Sequence, residues 1–517
     1  MKRSLHSGRG GQRLSSGGRG RGRDVAPGKN RIEQKTSAAA AGTGTEAKNS
    51  RKWMAARTQS ARQQQQQQRE KLLSFPVEAM ESDEREHSRT AARAKRFAAF
   101  ESGNRYKELR LRREKEQAEW IARQSSNWRE NETLVGTCMD MCPEFEREER
   151  EFHKSVHPFE LDPVSKRIAR DKAVKAYHRP AAGNGPILPS DVRPPRVLKK
   201  TVDYLLRDLL QRHQFQEVHS FLRDRLRAVC QDFSVQATIS KEAVYVHEQI
   251  ARFHVVAINE LSQDPLFSMQ QELEQLNKVL YVLDQLYNER RCRQKINKNE
   301  AEFRTYMILL DLPNPSIVVE CQKWPISVLQ ESRVQAALRL HALAQKSTHA
   351  QTSYSFLGKT WSANAIPTDA AVNLYTRFFK ILRRDQNVTF LMACLLQLYI
   401  PIVRQGALMG MRRSFLSAHA PYPAQDLKTA LAFSTDEQLL QFCKLHNLSM
   451  NFDQDNGELV QIELSKRAKF SEPSAVTKDI YDASFAQIKR PNASLSEIIC
   501  FAGRNDRQRL QGVNSTA

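Results

Sequence analysis

The stretch STDEQLLQFCKLHNLSMNFDQDNGELVQIEL, residues 434–464, changes from helical to strand-like spacing of its apolar residues. Ser434 or Thr435 is the predicted N-cap, and two acidic residues follow in the first turn, where negative charge suits the helix dipole. Two short strand-like runs then flank the Asp-Asn-Gly turn at 455–457, and Asn-Gly is a strong hairpin signal. The stretch therefore predicts a helix followed by a β-hairpin.

Two shorter helical patterns precede this stretch. They are VRQGALMGMRRSFLSA, residues 403–418, and PAQDLKTALAF, residues 423–433. Three short helices followed by a hairpin are the order of a winged helix, which we place at residues 401–468.

Upstream of residue 401, amphipathic helical patterns alternate with short breaks that contain proline, and strand-like alternation is scarce. This pattern predicts a mainly α, helical-repeat (solenoid-like) domain over residues 134–400, although no fixed sequence period is present. A helical stack that ends in a winged helix is the order expected of a PCI-type scaffold domain. The predicted core positions are Leu198, Val202, Leu205, Leu206 and Leu209 in one helix, Ala243, Val246, Ile250, Phe253 and Ala257 in the next, and Leu273, Leu276, Leu280, Leu283 and Tyr287 in a third.

The charge of the chain is strongly basic and unevenly distributed. Among 517 residues, 80 Lys+Arg stand against 58 Asp+Glu, a net charge of +22. Residues 1–133 hold 30 Lys+Arg and 16 Asp+Glu, and so supply +14 of that excess. A basic balance of this size favours polyanionic partners, nucleic acid above all, and says nothing about fold.

Residues 1–88 form a predicted disordered tail rich in Gly, Arg and Gln, because they offer few large apolar side chains. Arginines between flexible glycines can hold RNA through phosphate pairing and stacking, and a purely solubilising tail is equally open. Residues 89–133 predict a charged helical linker that docks at a few points. The candidate RNA contacts in the tail are Arg9, Arg19, Arg21 and Arg23.

The segment TCMDMCPEFEREEREFHKSVH, residues 137–157, resembles a zinc finger at first sight. Cys138, Cys142, His153 and His157 supply two cysteines and two histidines. The residues between the pairs, however, predict one helix that Pro143 starts. Helical rise then puts His153 ~16 Å from Cys142, which is too far for one zinc ion. We therefore predict a buried structural turn without metal, with both cysteines buried and reduced; the alternative, a zinc finger, requires one zinc ion per chain in a metal analysis.

The helix behind this turn has acidic residues in its first turn, at Glu144 and Glu146. We expect Phe145, Phe152 and Val156 to form its core-facing stripe.

The sequence offers no support for catalysis, a cofactor, a small-molecule substrate or a membrane span. It lacks the Gly-x-Ser-x-Gly, Gly-x4-Gly-Lys-Ser/Thr and His-Glu-x-x-His motifs. His247–Glu248 has no second histidine at residue 251, and we expect Glu248 and His254 to be satisfied core residues. The longest apolar run, 388–403, contains Gln397 and Pro401 and is too short to cross a bilayer. Eight scattered cysteines favour a reduced intracellular protein.

The motif VGTCMDMCPEFEREERE resembles the signature of the SAC/GANP family, the large scaffold subunits of nuclear transcription-and-export complexes. Further matches follow in the family's order: DKAVKAYHRPAAG, DVRPPRVLKKTVDYLL, FLRDRLRAVCQDF, HEQIARFHV, NEAEFRTYMILLDL and LQFCKLHNLSM. The resemblance covers residues 134–464 and continues weakly to SLSEIICFAG. The residues that carry it, with an expected structural role, are Cys138, Asp140, Cys142, Pro143, Glu144, Arg193, Pro194, Arg252, Phe253, Glu302, Phe303 and Arg304.

The resemblance implies a non-enzymatic scaffold in the nucleus, with the nuclear pore as a site of association. Family members pair through their winged helices with a second PCI-domain protein, aided by a small acidic subunit, and the joint surface binds nucleic acid. The chain departs from long members because it lacks Phe-Gly repeats and has only about 50 residues after the wing. We therefore expect residues 469–517 to be mostly disordered and the long helix for centrin-like subunits to be absent. The alternative is a short family member that acts at the centrosome or mitotic spindle; a PCI subunit of a protease-lid or signalosome-type complex fits the signature less well.

Basic residues at both ends of the predicted winged helix could bind phosphates without sequence preference, or simply be solvated. A second basic stretch, 166–175, is expected to be solvated around a helix that Asp162 caps and Pro163 begins. The candidates at the winged helix are Arg404, Arg412, Arg413, Lys466, Arg467 and Lys469.

Overall fold

The computed structural model describes residues 105–123, 134–179, 186–312, 314–347, 374–414, 421–453, 457–464, 470–471 and 482–500. All of these residues belong to one compact unit of the chain, residues 91–517. They are mainly helical, which confirms the predicted class. The tail residues Arg9, Arg19, Arg21 and Arg23, and the basic residues Lys466, Arg467 and Lys469, lie outside the described ranges.

The N-terminal part consists of two helices and a long irregular segment. Helix α1 covers residues 105–123 and helix α2 covers Glu144–Phe152, with Pro143 at the N-cap position just before it. Two 3-10 turns follow, at Pro158–Glu160 and Pro189–Asp191. The helix predicted after Asp162 is wrong: Asp162 caps a turn by accepting a hydrogen bond from Ser165 N, and an isolated bridge joins Leu161 to Ile168.

Helix α3 begins with Pro195–Asp203, passes through a π-helical turn at Tyr204–Leu209 and ends with Leu210–Arg212. A π turn adds one residue to the helical repeat, so it changes which side chains face the core. Its predicted core positions are all buried, and so is Leu210.

Three long helices and one shorter helix make the centre of the structure: α4 (Phe215–Val235), α5 (Lys241–Glu260), α6 (Met269–Cys292) and α7 (Glu300–Leu310). Helix α5 packs against α3, α4 and α6, and it is buried on nearly all sides from Ala243 to Asn259. Ser240 and Ser268 cap α5 and α6 through their side chains. The core positions predicted for α5 and α6 are buried, as expected.

Six further helices follow in the described part of the chain: α8 (Ile317–Cys321), α9 (Ile326–Leu329), α10 (Ser332–Ser347), α11 (Tyr375–Arg384), α12 (Phe390–Leu396) and α13 (Ile400–Ser414). No single helix of the described residues is long and apolar enough to span a membrane; α12 with residues 400–412 meets the criteria only as a pair bent by 57°.

A small three-stranded sheet follows α13. The sheet is made of β1 (Tyr422–Pro423), β2 (Met450–Phe452) and β3 (Leu459–Ile462). Two helices, α14 (Ala424–Ala430) and α15 (Asp436–Leu445), lie between β1 and β2 in the chain. The strand order is β1-β3-β2, and both outer strands are antiparallel to β3. A separate cluster of buried apolar residues, from Ala407 to Leu464, fills this part, which we call the sheet lobe. The hairpin prediction is confirmed, and Gly457 has the positive φ (+65°) that such turns require.

Residues 482–500 return to the helical stack, so the prediction that residues 469–517 are mostly disordered is wrong for this segment. It contains helix α16 (Ser484–Lys489) and helix α17 (495–500). Phe485 and Ile499 are buried in the apolar core of the helical stack, and Ser496 Oγ donates to Leu206 O of α3 at 2.6 Å. Apolar burial of this kind orders a segment that looks weak in sequence.

Candidate functional site: the signature segment and the sheet lobe

The signature segment, residues 135–151, runs beside residues 189–193, and backbone hydrogen bonds join the two. Thr137 N donates to Pro189 O at 2.9 Å and Cys138 N donates to Val192 O at 3.0 Å. A Cβ atom on Gly136 would lie 2.5 Å from Val192 O, so a larger residue could not sit there without displacing the backbone. Two distant family motifs are thus one structural unit.

The two cysteines of the signature have different surroundings. Cys142 is fully buried, as predicted, and its Sγ accepts a hydrogen bond from Arg150 Nη2 at 3.1 Å. Cys138 is only half-buried, so its predicted burial is wrong. Burial raises the pKa of both thiols, which disfavours the thiolate that metals and electrophiles require.

The two histidines of the near-zinc-finger pattern have structural contacts. The ring of His153 lies edge-on to Tyr106 at 5.9 Å, whereas His157 Nδ1 accepts from Phe159 N and caps a 3-10 turn. Within the described residues, no group of three or more Asp, Glu, His and Cys side chains could hold a metal ion.

Helix α2 turns its charged side to the core, so the predicted apolar stripe is wrong. Glu146, Arg147 and Arg150 are buried, whereas Phe152 is exposed and stacks on Tyr106 of α1 at 4.7 Å. The helix ends before Val156. Because α1 covers the apolar side, charged residues fill the inner face and must find partners there.

Glu160 is the centre of that charged core. Its side chain is fully buried and accepts hydrogen bonds from Arg150 Nη1 at 2.6 Å, Arg225 Nη2 at 3.0 Å and Val174 N at 2.9 Å. Beside it, burial alone would raise the pKa of Glu146, but His178, Arg150 and Ala176 N offset burial and lower it. Charge pairing therefore fixes α2 against α4 and the irregular segment.

Arg193 of the signature belongs to a second buried group. Its Nε donates to Asp232 Oδ2 at 2.7 Å and its Nη1 donates to Met141 O at 3.1 Å. Lys175 Nζ binds Asp232 Oδ1 at 2.7 Å, so this lysine is not solvated as predicted. These contacts connect the segments that contain Met141, Lys175 and Arg193 to the C-terminal part of α4.

The later signature residues join α5 to α7. Arg252 forms a two-point pair with Glu302, at 2.7 and 2.8 Å, and Tyr306 Oη donates to the same carboxylate at 2.8 Å. Arg304 is also fully buried and contacts Asp284, Asn288 and Glu300. Phe253 and Phe303 are buried, and Arg252 lies over the Phe303 ring. These signature residues therefore stabilise the packing of α7 against α5 and α6.

Asp140, Pro194 and Glu144 lie nearer the surface. Asp140 accepts from Arg170 at 2.8 and 3.1 Å, Pro194 is half-buried, and Glu144 pairs with Arg105 of α1. Tyr287 Oη and Asn299 Nδ2 bind Glu248, while His254 binds Glu272, as expected for satisfied core residues.

The nucleic-acid candidates of the sheet lobe do not form one described surface. Arg404 is fully buried, contrary to prediction: it pairs with Asp482 at 2.7 Å and donates to Leu431 O and Ala432 O. Burial lowers the pKa of Arg404 to about 10. Arg412 is half-buried with its guanidinium over the Phe470 ring, and the side chain of Arg413 lies outside the description.

The described surface of the lobe itself is acidic. Residues 421–453 and 457–464 hold six carboxylates (Asp426, Asp436, Glu437, Asp453, Glu458 and Glu463) and two lysines (Lys428 and Lys444). Strand β2 is an outer strand of the sheet, and Phe452 and Val460 near it are each 47% exposed. An exposed sheet edge presents backbone N–H and C=O groups that the described strands leave unpaired.

Sequence reasoning missed the anionic partners Glu160, Asp232 and Asp482. Each lies between ten and about eighty residues from the arginine that it binds, so helical spacing gives no signal for the pairing. The available hint was a set of arginines inside otherwise apolar helical patterns, since a buried cation requires a counter-charge.

A family model described as the SAC3/GANP family matches residues 141–452, which is more than half of the chain. The chain belongs to the SAC3/GANP family. It is 42% identical over 417 residues to SAC3 family protein 1 of Schizosaccharomyces pombe, a match covering 79% of this chain and 40% of that protein. It is 28% identical over 333 residues to Protein xmas of Drosophila melanogaster (61% and 15% covered) and 28% identical over 323 residues to SAC3 family protein B of Arabidopsis thaliana (60% and 17%). The chain thus spans 40% or less of the length of these relatives.

Proposed function

We propose that this SAC3/GANP-family chain is a non-enzymatic scaffold subunit of a nuclear PCI-type complex that couples transcription to mRNA export. The observation that carries the proposal is the sheet lobe at the end of the helical stack. Its order of one helix, a short strand, two helices and two strands is that of a winged helix. Together with the family match, this order supports a PCI-type domain with a solenoid-like helical repeat.

The partner surface is the outer strand β2 with Phe452 and Val460. We propose that a second PCI-domain protein docks there, because backbone groups at a sheet edge give affinity and exposed apolar side chains give specificity. A small acidic subunit is the further expected partner, as the resemblance to the SAC/GANP family implies.

RNA is the third proposed partner. The acidic described surface of the lobe means that its phosphate contacts would come from Arg413, Lys466, Arg467 and Lys469, with Arg412 only half-exposed. The Arg-Gly tail adds a sequence-independent, salt-sensitive contribution. The non-enzymatic role is supported by His247, His254 and Glu248, whose polar atoms are engaged by core neighbours.

Affinity purification of the tagged chain from nuclear extract tests the proposal. We expect a second PCI-domain protein and polyadenylated RNA to co-purify. The double variant Phe452→Asp/Val460→Asp should lose the PCI protein by tenfold or more while its melting temperature stays unchanged. The matched control is Leu266→Asp, an exposed leucine (94%) in a loop of the helical stack.

Two results would contradict the proposal. One is the absence of any second PCI-domain protein with the unmodified chain. The other is localisation to spindle poles through mitosis without a nuclear signal, which would favour the centrosome or spindle role.

A further inference from the structure

An open groove of about 800 Å³ lies between the signature turn and helix α3. Met139 of the signature lines it and is 76% exposed, unlike its buried neighbours Met141 and Cys142. Met139 therefore offers the groove an exposed apolar side chain beside the charged residues of its lining.

Positive charge exceeds negative charge around this groove. Asp140 is shared by Arg147 and Arg170, and Asp203 is shared by Lys199 and Arg207. Lys172, Lys200 and Arg212 also line the groove, and none of them forms an ion pair with another described residue. The remaining carboxylates are Asp171 and Asp208, so among the lining residues five cations (Arg170, Lys172, Lys200, Arg207 and Arg212) face four anions (Asp140, Asp171, Asp203 and Asp208).

Aromatic rings lie among these charges. Tyr204 is half-buried, and the Phe159 ring packs on that of His213 at 4.6 Å. Such rings provide faces on which bases stack, and stacking is tolerant of base identity.

The π turn of α3 shapes this wall of the groove. Its extra residue lets the leucines of Leu205–Leu210 stay buried while Tyr204, Arg207 and Asp208 line the groove. π turns occur often at functional sites because they redirect side chains at a cost to helix regularity. The π turn therefore lies where the charged residues and the aromatic rings of the groove are adjacent.

We propose that this groove binds a short segment of single-stranded RNA. Lys172, Lys200 and Arg212 contact phosphates, the aromatic wall with Met139 contacts bases, and Asp171 and Asp208 accept hydrogen bonds from base amino groups or 2′-hydroxyls. An acidic peptide fits less well, because it has no bases to stack on the aromatic rings. The inference rests on the proposed RNA-binding function but assigns it a site away from the sheet lobe and the tail.

Photo-crosslinking of the full chain to a fluorescent oligouridine with 4-thiouridine, about ten nucleotides long, tests the site. We expect crosslinked peptides that contain Met139, Phe159 or Tyr204. The variant Lys200→Glu/Arg212→Glu should lower these crosslinks at least tenfold. It should also reduce the slope of log affinity against log salt by about 1.4, or 0.7 for each phosphate that is no longer neutralised. Lys278→Glu, an exposed lysine on α6, is the matched control and should change neither.

Crosslinks confined to other peptides would overturn the groove site while leaving the proposed function intact. Equal loss of groove crosslinks in Lys278→Glu would overturn it as well, because the loss would then result from the lower net charge of the protein and not from the groove residues. Displacement of the oligouridine from the groove by an oligo-aspartate of equal charge, at equal concentration, would overturn RNA in favour of an acidic peptide. Absence of crosslinks anywhere on the chain would overturn the groove site and the RNA-binding part of the proposed function together, whereas recovery of the PCI partner tests the scaffold part separately.

Discussion

The signature segment and the sheet lobe are stabilised in different ways. Behind the signature segment, Glu160 of the following 3-10 turn lies fully buried between Arg150 and Arg225. The buried cluster of the sheet lobe is made of apolar side chains from Ala407 to Leu464. Apolar burial tolerates shape-conserving change, whereas a buried ion group requires every partner. We therefore expect single substitutions to affect the two regions very differently.

Buried charge gives specificity at a cost in desolvation. Removing one member of such a group leaves the others without a counter-charge in a site that water cannot reach. Among the described residues, the comparable feature of the lobe is Arg404 with Asp482, and this pair lies where the lobe meets the helical stack and residues 482–490.

The largest expected effect comes from Glu160→Gln. The amide has the shape of the carboxylate but cannot balance Arg150 and Arg225, whose side chains are each less than a tenth exposed. We expect the free energy of unfolding to fall by about 3–5 kcal/mol. Urea denaturation followed by circular dichroism measures it.

The matched control is Glu114→Gln, which removes the exposed Arg110–Glu114 pair of α1. We expect a change of about 0.5 kcal/mol or less, since water and salt screen that pair. If both variants lost the same stability, buried charge would not be what distinguishes the signature segment from the sheet lobe.

The difference between the two regions also explains what could be predicted from the sequence. The helix, its N-cap and the hairpin of the lobe follow from apolar spacing and turn chemistry, which are local. The orientation of α2 does not, because it depends on Phe152 stacking on Tyr106 of α1 and on Glu160 pairing with residues from two other elements.

Contacts between residues that are distant in sequence also explain why the residues of the candidate surfaces were not predicted correctly. Arg404 looked like a phosphate ligand because its partner Asp482 is 78 residues away and outside the predicted winged helix. Met139 and Tyr204 meet at the groove only because the chain brings the signature turn to the π turn of α3.

The second prediction concerns pH in the sheet lobe. Burial lowers the pKa of His446 to about 4, against an ordinary value of 6.5. Because the unfolded chain takes up this proton near 6.5, the stabilisation is complete above that pH and is lost as the pH falls toward 4. At pH 5 we expect a loss of about 2 kcal/mol. Hydrogen exchange of α15, β2 and β3 at pH 7 and pH 5, corrected for intrinsic rates, measures it.

His446→Gln should flatten this dependence in the lobe. His247→Gln is the matched control, since burial in the helical stack lowers the pKa of His247 to about 4 as well. That variant should leave the pH dependence of the lobe amides unchanged. Equal protection of the lobe at both pH values in the unmodified chain would refute the assignment to His446.

The smallest effect is expected at the start of α15. Thr435 accepts a hydrogen bond from Gln438 N through its side chain, whereas α2 begins without a side-chain cap. Thr435→Ala should lower the free energy of unfolding by about 1 kcal/mol, measured by urea denaturation. Ser434→Ala should change it by about 0.3 kcal/mol or less, because the only described hydrogen bond of Ser434 is made by its backbone N–H, to Gln438 Oε1. A larger loss at Ser434 would exchange the two roles and would mean that α15 starts one residue earlier than the structure places it.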